Sequence, residues 1–149
     1  MAAPAVGHVG LNVRDLVRSR TFYADLLGLS VIAESQAEGR RFALLGRGAD
    51  VVVTLWQQAD AAFGARGAGL HHLSFGVASL DEVREVERRA RHLGATFLYE
   101  GVVPHAEGLD SGGVFFSDPD GIRLEVFAGS GAGAFAAPHA DGPSCGLFS

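Results

Sequence analysis

Two histidines recur at equivalent places in this chain, and one glutamate completes a donor set. His8-Val9-Gly10-Leu11-Asn12-Val13-Arg14-Asp15-Leu16 overlays His72-Leu73-Ser74-Phe75-Gly76-Val77-Ala78-Ser79-Leu80 at a constant offset of 64 residues. Glu125 lies in the last strand-like run of the second copy. Two imidazoles and a carboxylate suit a borderline divalent ion, and three protein ligands leave coordination positions for water or substrate. The expected cofactor is therefore Fe2+, Mn2+, Zn2+ or Ni2+, held by His8, His72 and Glu125.

Strand periodicity decides whether these groups can meet. On a strand over residues 6–13, His8 shares a face with Val6, Gly10 and Asn12, while Val9, Leu11 and Val13 point the other way. On a strand over 70–77, His72 goes with Leu70, Ser74 and Gly76, while Leu73, Phe75 and Val77 face the opposite side. Each histidine is thus expected to look away from the helix-packing side. Glu125, between Leu124 and Val126, is expected on the same concave face with Arg123 and Phe127, where a carboxylate is costly unless solvated, paired or metal-bound.

The elements follow the same repeat. After the first strand, Asp15 can cap a helix whose apolar stripe is Leu16, Phe22, Leu26 and Leu27 and which Gly28 stops. Strands are expected over 29–33, 41–45 and 50–57. In the second copy Ser79 and Glu82 form a capping box, Leu80, Val83, Val86, Ala90 and Leu93 give the buried stripe, and Gly94 ends the helix. Strands over 96–99, 114–116 and 122–127 follow, the last two joined by an Asp118-Pro119-Asp120-Gly121 turn. The fold class is α+β, with two βαβββ modules forming a curved, cup-like mixed sheet and the helices outside. The modules are expected at 1–57 and 70–127, with an Ala/Gly-rich connector at 58–69 and a flexible Gly/Ala-rich tail at 128–149. Residues 101–113 read as a long loop. The loop and the tail could each serve as a lid, and Leu147 and Phe148 are expected to dock.

The composition narrows the partners. The net charge of −5 argues against a nucleic-acid surface, and Arg84, Arg88, Arg89 and Arg91 alternate with Asp81, Glu82, Glu85 and Glu87 as a solvated helix face. Cys145 is the single cysteine, which excludes an intrachain disulfide framework, and it reads as incidental. No apolar run reaches membrane-spanning length and the N-terminus lacks a signal-peptide pattern, so a cytoplasmic protein without membrane partners is expected. His71 belongs on the helix-facing side as a packing or hydrogen-bonded residue, and His92 closes a helix. His105, in the long loop, is the candidate acid/base group. Trp56, Phe115 and Phe127 are expected to line the cup, with Arg123 beside them.

These segments, together with Phe22-Tyr23-Ala24-Asp25-Leu26-Leu27-Gly28-Leu29, His71-His72-Leu73-Ser74-Phe75 and the run Phe115 to Glu125, resemble the vicinal oxygen chelate superfamily. That superfamily includes glyoxalase I, methylmalonyl-CoA epimerase, extradiol dioxygenases, fosfomycin-resistance enzymes and bleomycin-binding proteins. The resemblance covers roughly residues 6–127. It implies paired modules around a metal that chelates adjacent substrate oxygens, ligands at His8, His72 and Glu125, a small-molecule substrate and a homodimer. Thr54 takes the place corresponding to Glu125 in the first module, so the fourth ligand of the glyoxalase and epimerase branches is absent. His105 falls near the loop histidine of extradiol dioxygenases, although Phe115 replaces that family's signature tyrosine. Two functions stay open: a metal enzyme of dioxygenase, lyase or isomerase type, and a metal-free resistance protein that sequesters a drug or natural product between aromatic walls.

Overall fold

The structure, a computed structural model, describes residues 1–147; Phe148 and the side chain of Leu147, expected to dock, lie outside the described residues. The chain is mixed α+β, and its strands fall into two sheets, one in each of two compact units, residues 1–62 and 63–149.

In the first unit β1 (Val9–Asn12) leads to α1 (Leu16–Leu27), and β2 (Ser30–Ser35), β3 (Phe42–Arg47) and β4 (Asp50–Trp56) complete a sheet ordered β1-β4-β3-β2. The sheet is mixed because β1 runs parallel to β4 while the remaining pairs are antiparallel. The Asp15 carboxylate accepts the Arg18 amide at 3.0 Å, and Gly28 closes the helix in the left-handed conformation at φ 64°. The buried stripe is Leu16, Ser19, Phe22, Tyr23 and Leu26, with Leu27, expected in it, only half-buried.

The second unit repeats this order with β5 (Leu73–Val77), α2 (Leu80–His92), β6 (Thr96–Phe97), β7 (Val103–Pro104), β8 (Gly112–Ser117) and β9 (Arg123–Ala128). Here β5 is parallel to β9, and the sheet order is β5-β9-β8-β6 with β7 also paired to β8. Helix α2 buries Val83, Val86 and Ala90. Ser79 Oγ accepts the Glu82 amide at 3.3 Å, and the Glu82 carboxylate reaches back to the Ala78 amide at 2.8 Å. Its outer face carries the expected ion pairs, among them Arg89–Glu85 at 2.9 Å and Arg91–Glu87 at 2.8 Å. The turn before β9 is fixed by Asp118, whose Oδ1 accepts the amides of Asp120 and Ile122, both at 2.8 Å, with Gly121 at φ 84°.

Three segments depart from the sequence pattern. Strands β1 and β5 begin at Val9 and Leu73, so His8 and His72 each sit one residue ahead of their strand. Alternation therefore does not reach His71, which is exposed instead of turned toward the helix. The expected loop over 101–113 contributes a strand of its own, β7, because Gly112 and Gly113 have no side chains. A Cβ at Gly112 would lie 2.4 Å from the Val103 carbonyl, and one at Gly113 would lie 2.0 Å from that of Val126. Two adjacent glycines let β7 and β9 both close on β8, and the loop folds back over the sheet.

Candidate functional site

The register places the key carboxylate. Glu125 on β9 is the partner of Ser74 on β5 and of Phe115 on β8, and directly opposed residues share a face of a sheet. Leu124 and Val126 are fully buried on the other side. Glu125 is itself only 4% exposed. Its burial is compensated by one imidazole on each oxygen: His105 Nε2 lies 2.5 Å from Oε1, and His72 Nε2 lies 3.4 Å from Oε2.

Each imidazole has a further neighbour. His105 Nδ1 is 2.8 Å from Ser111 Oγ, and its ring lies 5.1 Å from that of Phe127. His72 Nδ1 is 2.8 Å from His71 Nδ1, with the two rings edge-on at 82°. A row of polar contacts thus runs from Ser111 through His105, Glu125 and His72 to His71, all within the second unit. Sequence reading singles out His72, Glu125 and His105, takes His71 for a helix-facing packing or hydrogen-bonded residue where the structure has it exposed, and passes over Ser111.

The first unit shows what the other repeat has in that place. Gly10 pairs with Thr54 in the same register in which Ser74 pairs with Glu125, so Thr54 is the counterpart of the glutamate. It is 6% exposed, and its Oγ1 accepts the Trp56 Nε1–H at 3.1 Å. No carboxylate occurs there. His8 is exposed, directly before β1. Trp56 is 39% exposed and stacks at 5.3 Å on Phe42 at the edge of a groove of about 490 Å3 that also includes Arg40 and Arg41.

Of the remaining candidates, Arg123 is buried and lines a cavity of about 280 Å3 with Phe63, Thr96 and Ser117. Phe115 is on the Glu125 face but fully buried, packed with Val103 and covered by Leu98, Tyr99 and Cys145. Cys145 brings the tail into this cover. Tyr99 Oη donates to the Ser144 carbonyl at 2.7 Å, the Ser144 amide donates to the His105 carbonyl at 2.7 Å, and Ser144 Oγ donates to the Pro104 carbonyl at 2.5 Å. The tail and the loop that carries His105 therefore brace one another.

Burial, and secondarily the Glu125 carboxylate, pushes the Cys145 thiol above its ordinary value, and burial does the same to Tyr99. The thiolate is the reactive form. Alkylation of Cys145 by iodoacetamide is therefore expected to lag behind that of a cysteine peptide at pH 8 and to catch up only well above the usual thiol range. Equal rates at pH 8, followed by mass spectrometry, would contradict the docked tail.

The donor chemistry fits a divalent ion in part. Two donors about 2.1 Å from a tetrahedral ion stand about 3.4 Å apart, which is the separation of His72 Nε2 and Glu125 Oε2. Among the described residues, no group of three or more His, Cys, Asp or Glu is gathered closely enough to hold an ion.

The duplicated strand–helix–strand chain matches a known family. The glyoxalase/bleomycin resistance protein/dioxygenase superfamily model aligns with residues 5–126. The chain belongs to that superfamily. Among solved structures it is similar to a glyoxylase/bleomycin resistance protein/dioxygenase domain from Frankia sp. EAN1pec, with 27% identity over 86% of this chain and 99% of that one and a TM-score of 0.71. A candidate glyoxalase from Bacillus halodurans shares 30% identity over 83% of this chain and 94% of its own, with a TM-score of 0.67. The fosfomycin resistance protein FosX from Listeria monocytogenes shares the fold at 22% identity, covering 87% of this chain and 93% of its own with a TM-score of 0.64, in a glutamate-to-glutamine mutant form complexed with Mn(II) and a dihydroxypropylphosphonic acid. No curated protein matches the chain. Among the described residues, no helix is long and apolar enough to cross a membrane.

Proposed function

We propose that this chain is a divalent-metal enzyme that grips a small organic substrate through two adjacent oxygen atoms. The observation that carries the reading is the buried Glu125 carboxylate with His72 Nε2 3.4 Å from one oxygen and His105 Nε2 2.5 Å from the other. His72 and Glu125 are proposed to hold the ion together with His8, the repeat-equivalent histidine of the first unit. When bound, a divalent cation supplies electrostatic stabilisation of the anion that develops on the chelated oxygens. With Fe2+ the proposed chemistry is of dioxygenase type, and with Mn2+, Zn2+ or Ni2+ it is of lyase, isomerase or electrophile-opening type.

His105 is proposed as the group that moves the proton. Its Nε2 lies 2.5 Å from Glu125 Oε1, within the loop that the tail braces. Phe127, 5.1 Å from His105, and the exposed Trp56 are proposed to contact the substrate carbon skeleton, and Arg123 to bind an anionic group. Phe115, fully buried on the Glu125 face, packs with Val103 and Tyr99. The Mn(II) and vicinal diol bound by FosX are of the chemical kind this reading requires. A homodimer in the cytoplasm is the proposed setting.

A bidentate oxygen ligand tests the reading. Acetohydroxamate is expected to bind the Mn(II)-loaded protein by calorimetry and to leave metal-free protein untouched. Tight binding of an aromatic drug such as bleomycin by metal-free protein, unaffected by Mn(II), would instead favour sequestration along the Trp56–Phe42 groove.

A further inference from the structure

We infer that the groove of the first unit is a recognition site for an aromatic carboxylate, whose ring lies on Trp56 and whose charge is held by Arg40 and Arg41. The inference stands on residues of the first unit alone and does not rest on the proposed ion. Phe42 on β3 and Trp56 on β4 are register partners, and their rings meet at 5.3 Å with 32° between planes. An indole has one polar hydrogen, and that of Trp56 is already given to Thr54 Oγ1 at 3.1 Å. The 39% of Trp56 that remains exposed therefore offers a ring and no donor. Held by a buried hydroxyl and backed by a phenyl ring, it is a fixed surface for stacking.

The charge comes from the same groove. Arg40 and Arg41 line it, and its volume of about 490 Å3 is that of a small-molecule site. On the outer face of α2 every arginine holds a carboxylate: Arg84, Arg88, Arg89 and Arg91 are all ion-paired. Among the described residues, neither guanidinium of the groove has an ion pair, a side-chain hydrogen bond or a ring contact. Glu38 also lines the groove but pairs with neither, so cations outnumber anions there in a chain whose net charge is −5. Both arginines are rooted: the Arg40 amide donates to the Ala37 carbonyl at 3.0 Å, and the Arg41 carbonyl accepts the Gln57 amide at 3.1 Å. Fixed roots lower the ordering cost of binding.

The ligand class follows from these parts. A planar guanidinium fork matches a carboxylate through two parallel hydrogen bonds, and two adjacent forks without a counter-ion repel one another until an anion arrives. The indole face adds a preference for a flat ring. A neutral ring would gain the stacking alone, and an aliphatic acid the charge alone.

Trp56 is the single tryptophan of the chain, so its indole N–H gives one signal in a 1H–15N spectrum. 2-Naphthoate and its uncharged counterpart 2-naphthamide are the probes, titrated into metal-free protein. Naphthoate is expected to shift the indole signal saturably and, by calorimetry, to bind about tenfold more tightly than the amide. That advantage should shrink at about 1 M salt. In the double variant Arg40→Gln, Arg41→Gln, whose exposed side chains carry no packing, the two probes should bind alike. Equal affinities in the wild-type protein, an indole signal unmoved at saturation, no binding at millimolar naphthoate, or a preference that survives in the double variant overturns the inference. The expected preference in a protein that takes up no Mn(II) would uphold it and overturn the metal reading, whereas a Mn(II)-binding protein without the preference would do the reverse.

Discussion

Phe115→Ala is expected to lower the unfolding free energy by about 3–5 kcal/mol. The ring is fully buried on the Glu125 face, where Val103, Leu98, Tyr99 and Cys145 close around it. Tyr99 meets it in a T-shaped contact at 5.7 Å. Alanine would leave a cavity at the junction of β8, the folded-back loop and the tail, and none of these can collapse onto the gap without giving up hydrogen bonds. The Ser144 amide bond to the His105 carbonyl and the Tyr99 bond to Ser144 should loosen together. Urea unfolding measures the loss, and faster Cys145 alkylation should accompany it. Phe135→Ala, at a side chain 38% exposed, should change stability by less than about 0.5 kcal/mol. A Phe115→Ala protein destabilised no more than that control would contradict the packing of the tail.

The duplicated architecture was legible because each signal in it is local. Asp15, Gly28, Ser79 and Glu82 act within a few residues of themselves, and their helices start and stop where the caps stand. The alternation of Val9, Leu11 and Val13 against Gly10 and Asn12 carried the sheet faces, and the pairing of Thr54 with Gly10 follows from the repeat. The parts that stayed hidden depend on contacts distant in sequence. Nothing near Val103 announces a strand; the only trace is Gly112-Gly113, whose missing side chains admit it. The bracing of Tyr99 by Ser144 joins positions 45 residues apart, in a tail whose Gly, Ala and Pro content reads as unstructured. Cys145 therefore reads as incidental in sequence but lies beside Phe115 in space. His71 departs from the pattern for a narrower reason: it lies two residues ahead of β5, where alternation no longer holds, and a hydrogen bond to an adjacent imidazole leaves no periodic mark.

The donor set itself is tested most directly by removing one charge without changing a shape. Glu125→Gln keeps the side-chain length and an acceptor oxygen for His105, so the buried face retains a partner and the fold is expected to persist. It removes the anionic oxygen that faces His72. His8→Ala is a second arm, because His8 is exposed ahead of β1 and contributes little to packing. Equilibrium Mn(II) titration by electron paramagnetic resonance is the deciding measurement. The wild-type protein should bind one equivalent per chain, and both variants should lose well over a hundredfold in affinity, beyond the 10–100-fold typical of an outer-shell partner. Folded Glu125→Gln and His8→Ala proteins that bind Mn(II) as tightly as wild type, or a wild-type protein that binds none, would contradict the account.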